Sequence, residues 1–198
     1  MGQRYLLSAQ SLAMAAASAV VGFAGHLGPT SPTTRSLQAA RSVVWNFDSL
    51  TTGAPPAGFS FGRTGSGRPG QWVVRAVPDA PSGSNVLAQE DSDRTDYRFP
   101  VAVADAPTFG DVSVSVRCKP VGGRVDRACG IVWRYQDANN YYLTRANALE
   151  DNVCWYYVQN GRRIEVKRVH VRVASGYGIR SGRTCAAITS RSTSTERN

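Results

Sequence analysis

The sequence predicts an all-β domain of antiparallel strands, and three observations predict it. Apolar residues recur with a period of two over 43–174, the spacing of half-buried strands. Turn-forming residues interrupt that stretch at short intervals: Gly53-Ala54-Pro55-Pro56, Gly67-Arg68-Pro69-Gly70, Pro81-Ser82-Gly83 and Gly122-Gly123. No run of ten or more residues in it shows helical apolar spacing with caps. Short strands broken by turns in this way predict a sandwich of two sheets.

The 198 residues allow one domain with appendages. Residues 1–25 read as an export signal: Arg4 gives a positive start, an Ala-rich apolar run follows, and Gly22-Phe23-Ala24 offers a small-x-small cleavage site. A buried N-terminal helix is the competing reading. Residues 26–42 carry Pro, Ser and Thr and no acid, and read as a linker. The β-sandwich domain is expected over 43–176.

Within it, Val112, Val114, Val116 and Cys118 alternate with Ser113, Ser115 and Arg117, which predicts a strand with one buried side. Asn160-Gly161 predicts a two-residue type I′ hairpin, because both positions must take positive φ. The register then pairs Gln159 with Arg162, Tyr157 with Ile164 and Trp155 with Val166. One apolar face is expected to carry Trp155, Tyr157, Ile164 and Val166. Cys154, Tyr156 and Val158 fall on the other, opposite Lys167, Glu165 and Arg163.

After Gly176 the chain turns to Arg, Ser, Thr, Ala and Gly, so 177–198 reads as a disordered or frameshifted tail. Read one base earlier with free codon choice, 178–187 can encode Trp-His-Ser-Leu-Arg-Ala-His-Val-Arg-Gly. Continuing through Arg197, it can encode a strand, an Asp-Gly turn and a second strand.

Composition excludes several functions. Apolar residues make up 42% of the chain, which excludes wholesale disorder. Outside the N-terminus no run of eighteen clean apolar residues exists, so a multi-span membrane protein is excluded. The net charge of +9 is dispersed. Residues 1–40 hold Arg4 and Arg35 with no acid, the middle holds 17 bases among 13 acids, and the tail holds four Arg against Glu196. A nucleic-acid binder needs a concentrated basic patch, and the sequence has none.

The run Gly130-Ile131-Val132-Trp133-Arg134-Tyr135-Gln136-Asp137, then Asn139-Asn140-Tyr141-Tyr142 and Arg145-Ala146-Asn147-Ala148-Leu149-Glu150-Asp151-Asn152, carries a family likeness. With Trp45-Asn46-Phe47-Asp48 and Pro56-Ala57-Gly58-Phe59 upstream, it resembles secreted bacterial domains of the concanavalin A-like lectin/glucanase superfamily. The nearer likeness is to the 3-keto-disaccharide hydrolase-like or laminin-G-like branch, over about 43–173. The resemblance implies an antiparallel jelly-roll β-sandwich, exported to the periplasm or beyond the cell. Members continue with a Trp-His-x-Leu-Arg strand and closing strands, so this chain is expected to be incomplete at its C-terminus.

The glucanase-type catalytic pattern E-x-D-x-E does not occur here, and no catalytic residue is carried over. The expected ligand is a carbohydrate, with no nucleic acid and no membrane after signal removal. Candidate contacts are Trp133, Arg134, Tyr135, Asn140, Tyr142, Arg145, Asn147 and Glu150: rings to stack on sugar C–H surfaces, amide, guanidinium and carboxylate groups to hold hydroxyls. The competing reading makes Trp133 and Tyr135 core, and Arg134 and Arg145 partners of acids. Two other functions stand beside glycan binding: hydrolysis of 3-keto-disaccharides or glucans, and a truncated, inactive product.

No cofactor is expected. Asp91, Asp93 and Asp96 would suit a structural Ca²⁺ by oxygen density, but Arg94 lies among them and an EF-hand glycine and glutamate are missing, which favours a solvated loop. His26 and His170 assemble no triad or zinc site. Cys118 and Cys129 bracket the Gly122-Gly123 connection, as a disulfide or as two buried thiols.

Overall fold

A computed structural model describes residues 4–8, 42–109, 112–176 and 186–192. Most of the expected signal and linker, and the tail apart from 186–192, lie outside the described residues. The described chain is all β, with no helix. Its strands are β1 (Arg4–Ser8), β2 (Phe59–Gly65), β3 (Trp72–Ala76), β4 (Asn85–Gln89), β5 (Arg98–Ala104) and β6 (Val112–Gly122). Then come β7 (Ala128–Asp137), β8 (Asn140–Asn147), β9 (Asn152–Gln159), β10 (Arg162–His170) and β11 (Ala186–Ser192). All pairings are antiparallel, in three sheets: β11-β6-β1-β4-β3, β10-β9-β8-β7 and β2-β5.

The alternation along β6 has the expected outcome. Val116 and Cys118 are buried, while Ser113 is exposed. Cys118 is joined to Cys129 in a disulfide with the Cα atoms 6.1 Å apart. The two cysteines lie in different sheets, so the bond staples β6 to β7 instead of bridging neighbours within one sheet. Around it Val116, Ile131, Ala146 and Val173 form one apolar cluster. A second cluster gathers Phe47, Trp72, Val74 and Leu87. A third joins Val101 of β5 to Tyr141 and Val158, with Val132, Tyr135 and Leu143 against it.

The β9–β10 hairpin follows the expected turn. Asn160 and Gly161 have φ of 51° and 75°, and the pairs Gln159–Arg162, Tyr157–Ile164 and Tyr156–Glu165 form as read from the sequence. Beyond Glu165 the structure corrects the register: Trp155 stands opposite Lys167, not Val166 alone. Val166 is the extra residue of a β-bulge, so two β10 residues face one on β9.

A second correction concerns burial. Cys154, Tyr156 and Val158, on the face expected to be mostly polar, are buried. Trp155, Ile164 and Val166, on the apolar face, are exposed. The hairpin alone cannot decide which face is covered. The β2-β5 pair packs against the Tyr141 and Val158 side, and Phe99 of β5 lies over Arg163 at 4.0 Å.

The Asp91–Asp96 connection is organised by arginines. Asp91 accepts from Arg98 Nη2 at 2.8 Å and Arg68 Nε at 3.1 Å, and Arg98 is buried. Asp93 accepts from the backbone N–H of Arg68 at 2.6 Å and from both Thr95 donors, which hold its carboxyl well below the usual range. Asp96 accepts from Tyr97 N–H. Among the described residues no three His, Cys, Asp or Glu side chains gather as a metal site.

This loop sets one pH prediction. The Asp93 carboxyl is lowered in the fold, so its stabilisation is present above the unfolded pKa and is lost as pH falls through the folded value. Glu150 and Asp137 are lowered as well and act in the same direction. Stability should therefore decline below about pH 4. An acid titration followed by circular dichroism should give a shallower decline for Asp93→Asn than for the parent chain. Identical acid limbs would count against it.

Candidate functional site

The four-stranded sheet carries the residues singled out in the sequence, and strand parity sorts them. In one face, Trp133 of β7, Tyr142 of β8, Tyr157 of β9 and Ile164 of β10 stand directly opposite one another across the four strands. Residues paired in an antiparallel ladder point to the same side, so these four form one row. The Trp133 and Tyr142 rings are stacked at 6.0 Å between centroids, and Tyr142 and Tyr157 lie at 6.2 Å. The next row sets Ile131, Thr144, Trp155 and Lys167 side by side.

Among the described residues this face is covered at its Cys129 end, where Ile131, Ala146, Val153 and part of Trp133 pack toward β6. Beyond that end Tyr142, Trp155 and Ile164 are 36% to 42% exposed. Scattered exposed apolar side chains are ordinary on a protein surface, but a contiguous group of this kind marks a contact surface.

The opposite face carries a buried polar network. Arg145 is 6% exposed. Its Nη1 donates to Asn152 Oδ1 at 3.2 Å, and its Nη2 to Glu150 Oε2 at 3.0 Å and to the Tyr156 hydroxyl at 3.2 Å. Asn152 Nδ2 donates to the same Glu150 oxygen at 2.8 Å. Asn147 donates to Asp126 and accepts from Leu149 N–H at 2.9 Å. These bonds fasten the β8–β9 turn, and polar groups withdrawn from water need such partners.

The network's electrostatics follow from its burial. Burial pushes the Asp126 carboxyl up, with Arg145 pulling it back. Burial works against the Glu150 charge too, yet the bonds from Asn152 and Arg145 outweigh it and hold that carboxyl below its usual range. The Tyr156 hydroxyl is pushed up to about 12 by burial and by its bond with Cys154. Arg163 lies over the Tyr156 ring at 4.6 Å.

The eight expected sugar contacts therefore do not converge on one site. Trp133 and Tyr142 share the open face. Arg145 and Asn147 lie buried on the other, with only Glu150 of that group exposed. Arg134 has a φ of 49° where the β7–β8 register shifts, and beyond it Tyr135 packs against Tyr141 at 5.7 Å instead of following Trp133. Asn140 is tied into the β7–β8 turn by Asp137 and by Asn160 N–H.

The candidate contacts omitted Trp155, Tyr157, Ile164 and Lys167. The hairpin register already placed the first three together. What the sequence lacked was the knowledge that this face stays open. No family model, curated protein or solved structure matches the chain.

Proposed function

We propose that the chain is an exported carbohydrate-binding module of jelly-roll sandwich type, which holds a glycan against the open face of its four-stranded sheet. The observation that carries this reading is the row Trp133–Tyr142–Tyr157, with Trp155 beside it, on a face where Tyr142 and Trp155 are exposed. Aromatic rings bury sugar C–H surface at little cost in conformational entropy and leave the hydroxyls at the rim. The buried Arg145 network takes the part of scaffold in this reading, holding the turn and the far side of the sheet rigid. No catalytic role is assigned.

The test is binding to a panel of polysaccharides by affinity electrophoresis and calorimetry. Tyr142→Ala and Trp155→Ala should each weaken binding about tenfold, the loss of roughly 1.5 kcal/mol of ring contact, with the native circular dichroism spectrum retained. Retention of full affinity by both variants, or no affinity of the parent chain for any glycan, would overturn the reading.

A further inference from the structure

The same face is chemically selective, and resting on the glycan reading we infer that its ligand is an acidic polysaccharide, one bearing a carboxylate on successive rings. The inference comes from where the sheet places its charges. On β10, Arg162 pairs with Gln159 and Lys167 with Trp155, so both cations stand on the open face with the aromatic row. They flank Ile164, the row's last member. Both are exposed, and neither makes an ion pair among the described residues.

The acids nearby are turned away or occupied. Glu165 stands opposite Tyr156 on the covered face and pairs with Arg168 at 2.6 Å. Glu150 is held by Arg145. Asp137, at the β7–β8 turn, accepts from Asn139 N–H and Asn140 Nδ2. The bases that look dispersed in the sequence are thus sorted by strand parity, leaving two unpaired cations on an aromatic floor.

Charge complementarity then decides the occupant. Arg162 and Lys167 stand opposite Gln159 and Trp155, about 13 Å apart at roughly 3.3 Å per residue along β9, farther than one sugar ring can reach. A polymer of uronic acid units running along β9 and β10 meets both cations while its rings cross Trp155 and Tyr157. A neutral glycan satisfies the rings and leaves both cations without partners.

The test compares full-length protein binding to polygalacturonate and to its methyl ester, which keeps the polymer and removes the charge. Binding to polygalacturonate should be about tenfold tighter than to the ester and should weaken as salt rises, as two exposed charge contacts would give. Arg162→Gln combined with Lys167→Gln should remove that difference while leaving the ester's affinity unchanged. Arg124→Gln, an exposed change in the β6–β7 loop, should have no effect.

Equal binding to acid and ester overturns the inference but leaves the glycan reading intact. Equal weakening by Arg124→Gln reduces the effect to net charge and overturns it. Displacement of polygalacturonate by a single-stranded oligonucleotide at similar concentration also overturns it, since bases stack on rings and phosphates pair with cations. Absence of binding to either polymer, with binding to some neutral glycan, sinks the inference alone. Absence of binding to every glycan sinks both.

Discussion

Replacing Arg145 with alanine is expected to lower the unfolding free energy by about 3 kcal/mol, the low end of the cost of breaking a buried ion pair. Arg145 is the hub of the covered face, with Asn152, Glu150 and Tyr156 all receiving its protons. Alanine leaves the Asn152 oxygen without its arginine donor and exposes a void above Gly130, the β7 residue paired with Arg145. Glu150 is itself 44% exposed and regains water, which keeps the loss near the lower bound. Urea unfolding should show the midpoint shift. Arg145→Met, which keeps the packing of the stem, should recover part of it. A loss below about 1 kcal/mol would mean that the network is no better than solvent.

Removing the Cys118–Cys129 bond is the second large effect. The cysteines are 11 residues apart. Closing a loop of that length restricts the unfolded chain by about 3 kcal/mol in the chain-entropy account. Cys118→Ser with Cys129→Ser should lose about that much, with a further penalty because both positions lie in an apolar cluster. The matching pair of alanine substitutions separates the two contributions. Denaturation with and without reductant should move the parent chain toward the alanine variant and leave the variant unmoved. No response to reductant would contradict the staple.

Much of the fold is legible in the sequence where a local rule has no competitor. The period of two in Val112-Ser113-Val114-Ser115-Val116-Arg117-Cys118 leaves no helical reading, and Asn160-Gly161 sets both the turn and the first pairs of its hairpin. The bulge at Val166 was not legible. Glu165-Val166-Lys167 satisfies ordinary alternation, and nothing local marks the extra residue. Nor was the buried face legible from the hairpin. Burial was decided by β5, about sixty residues upstream, whose Val101 meets Val158 and whose Phe99 meets Arg163.

The site was half legible, for a reason that strand geometry supplies. Tyr142 and Arg145 are three apart on one strand, so their side chains must point to opposite faces. Closeness in the sequence joined them as candidates, and parity separates them. Parity also joins what the sequence holds apart: Trp133, Tyr142, Tyr157 and Ile164 meet only because three consecutive hairpins bring them into line.

The irregularity at Val166 has a consequence for how these molecules coexist at high concentration. Among the described residues β10 is the last strand of its sheet, and an edge strand presents its outer hydrogen-bonding groups to another chain. A flat rim of that kind recruits copy after copy into fibrils. The kink coils the rim out of plane, and Arg162 and Lys167 repel any identical rim that approaches. The protein can therefore keep an oily, open surface and still resist growing into a ribbon of itself.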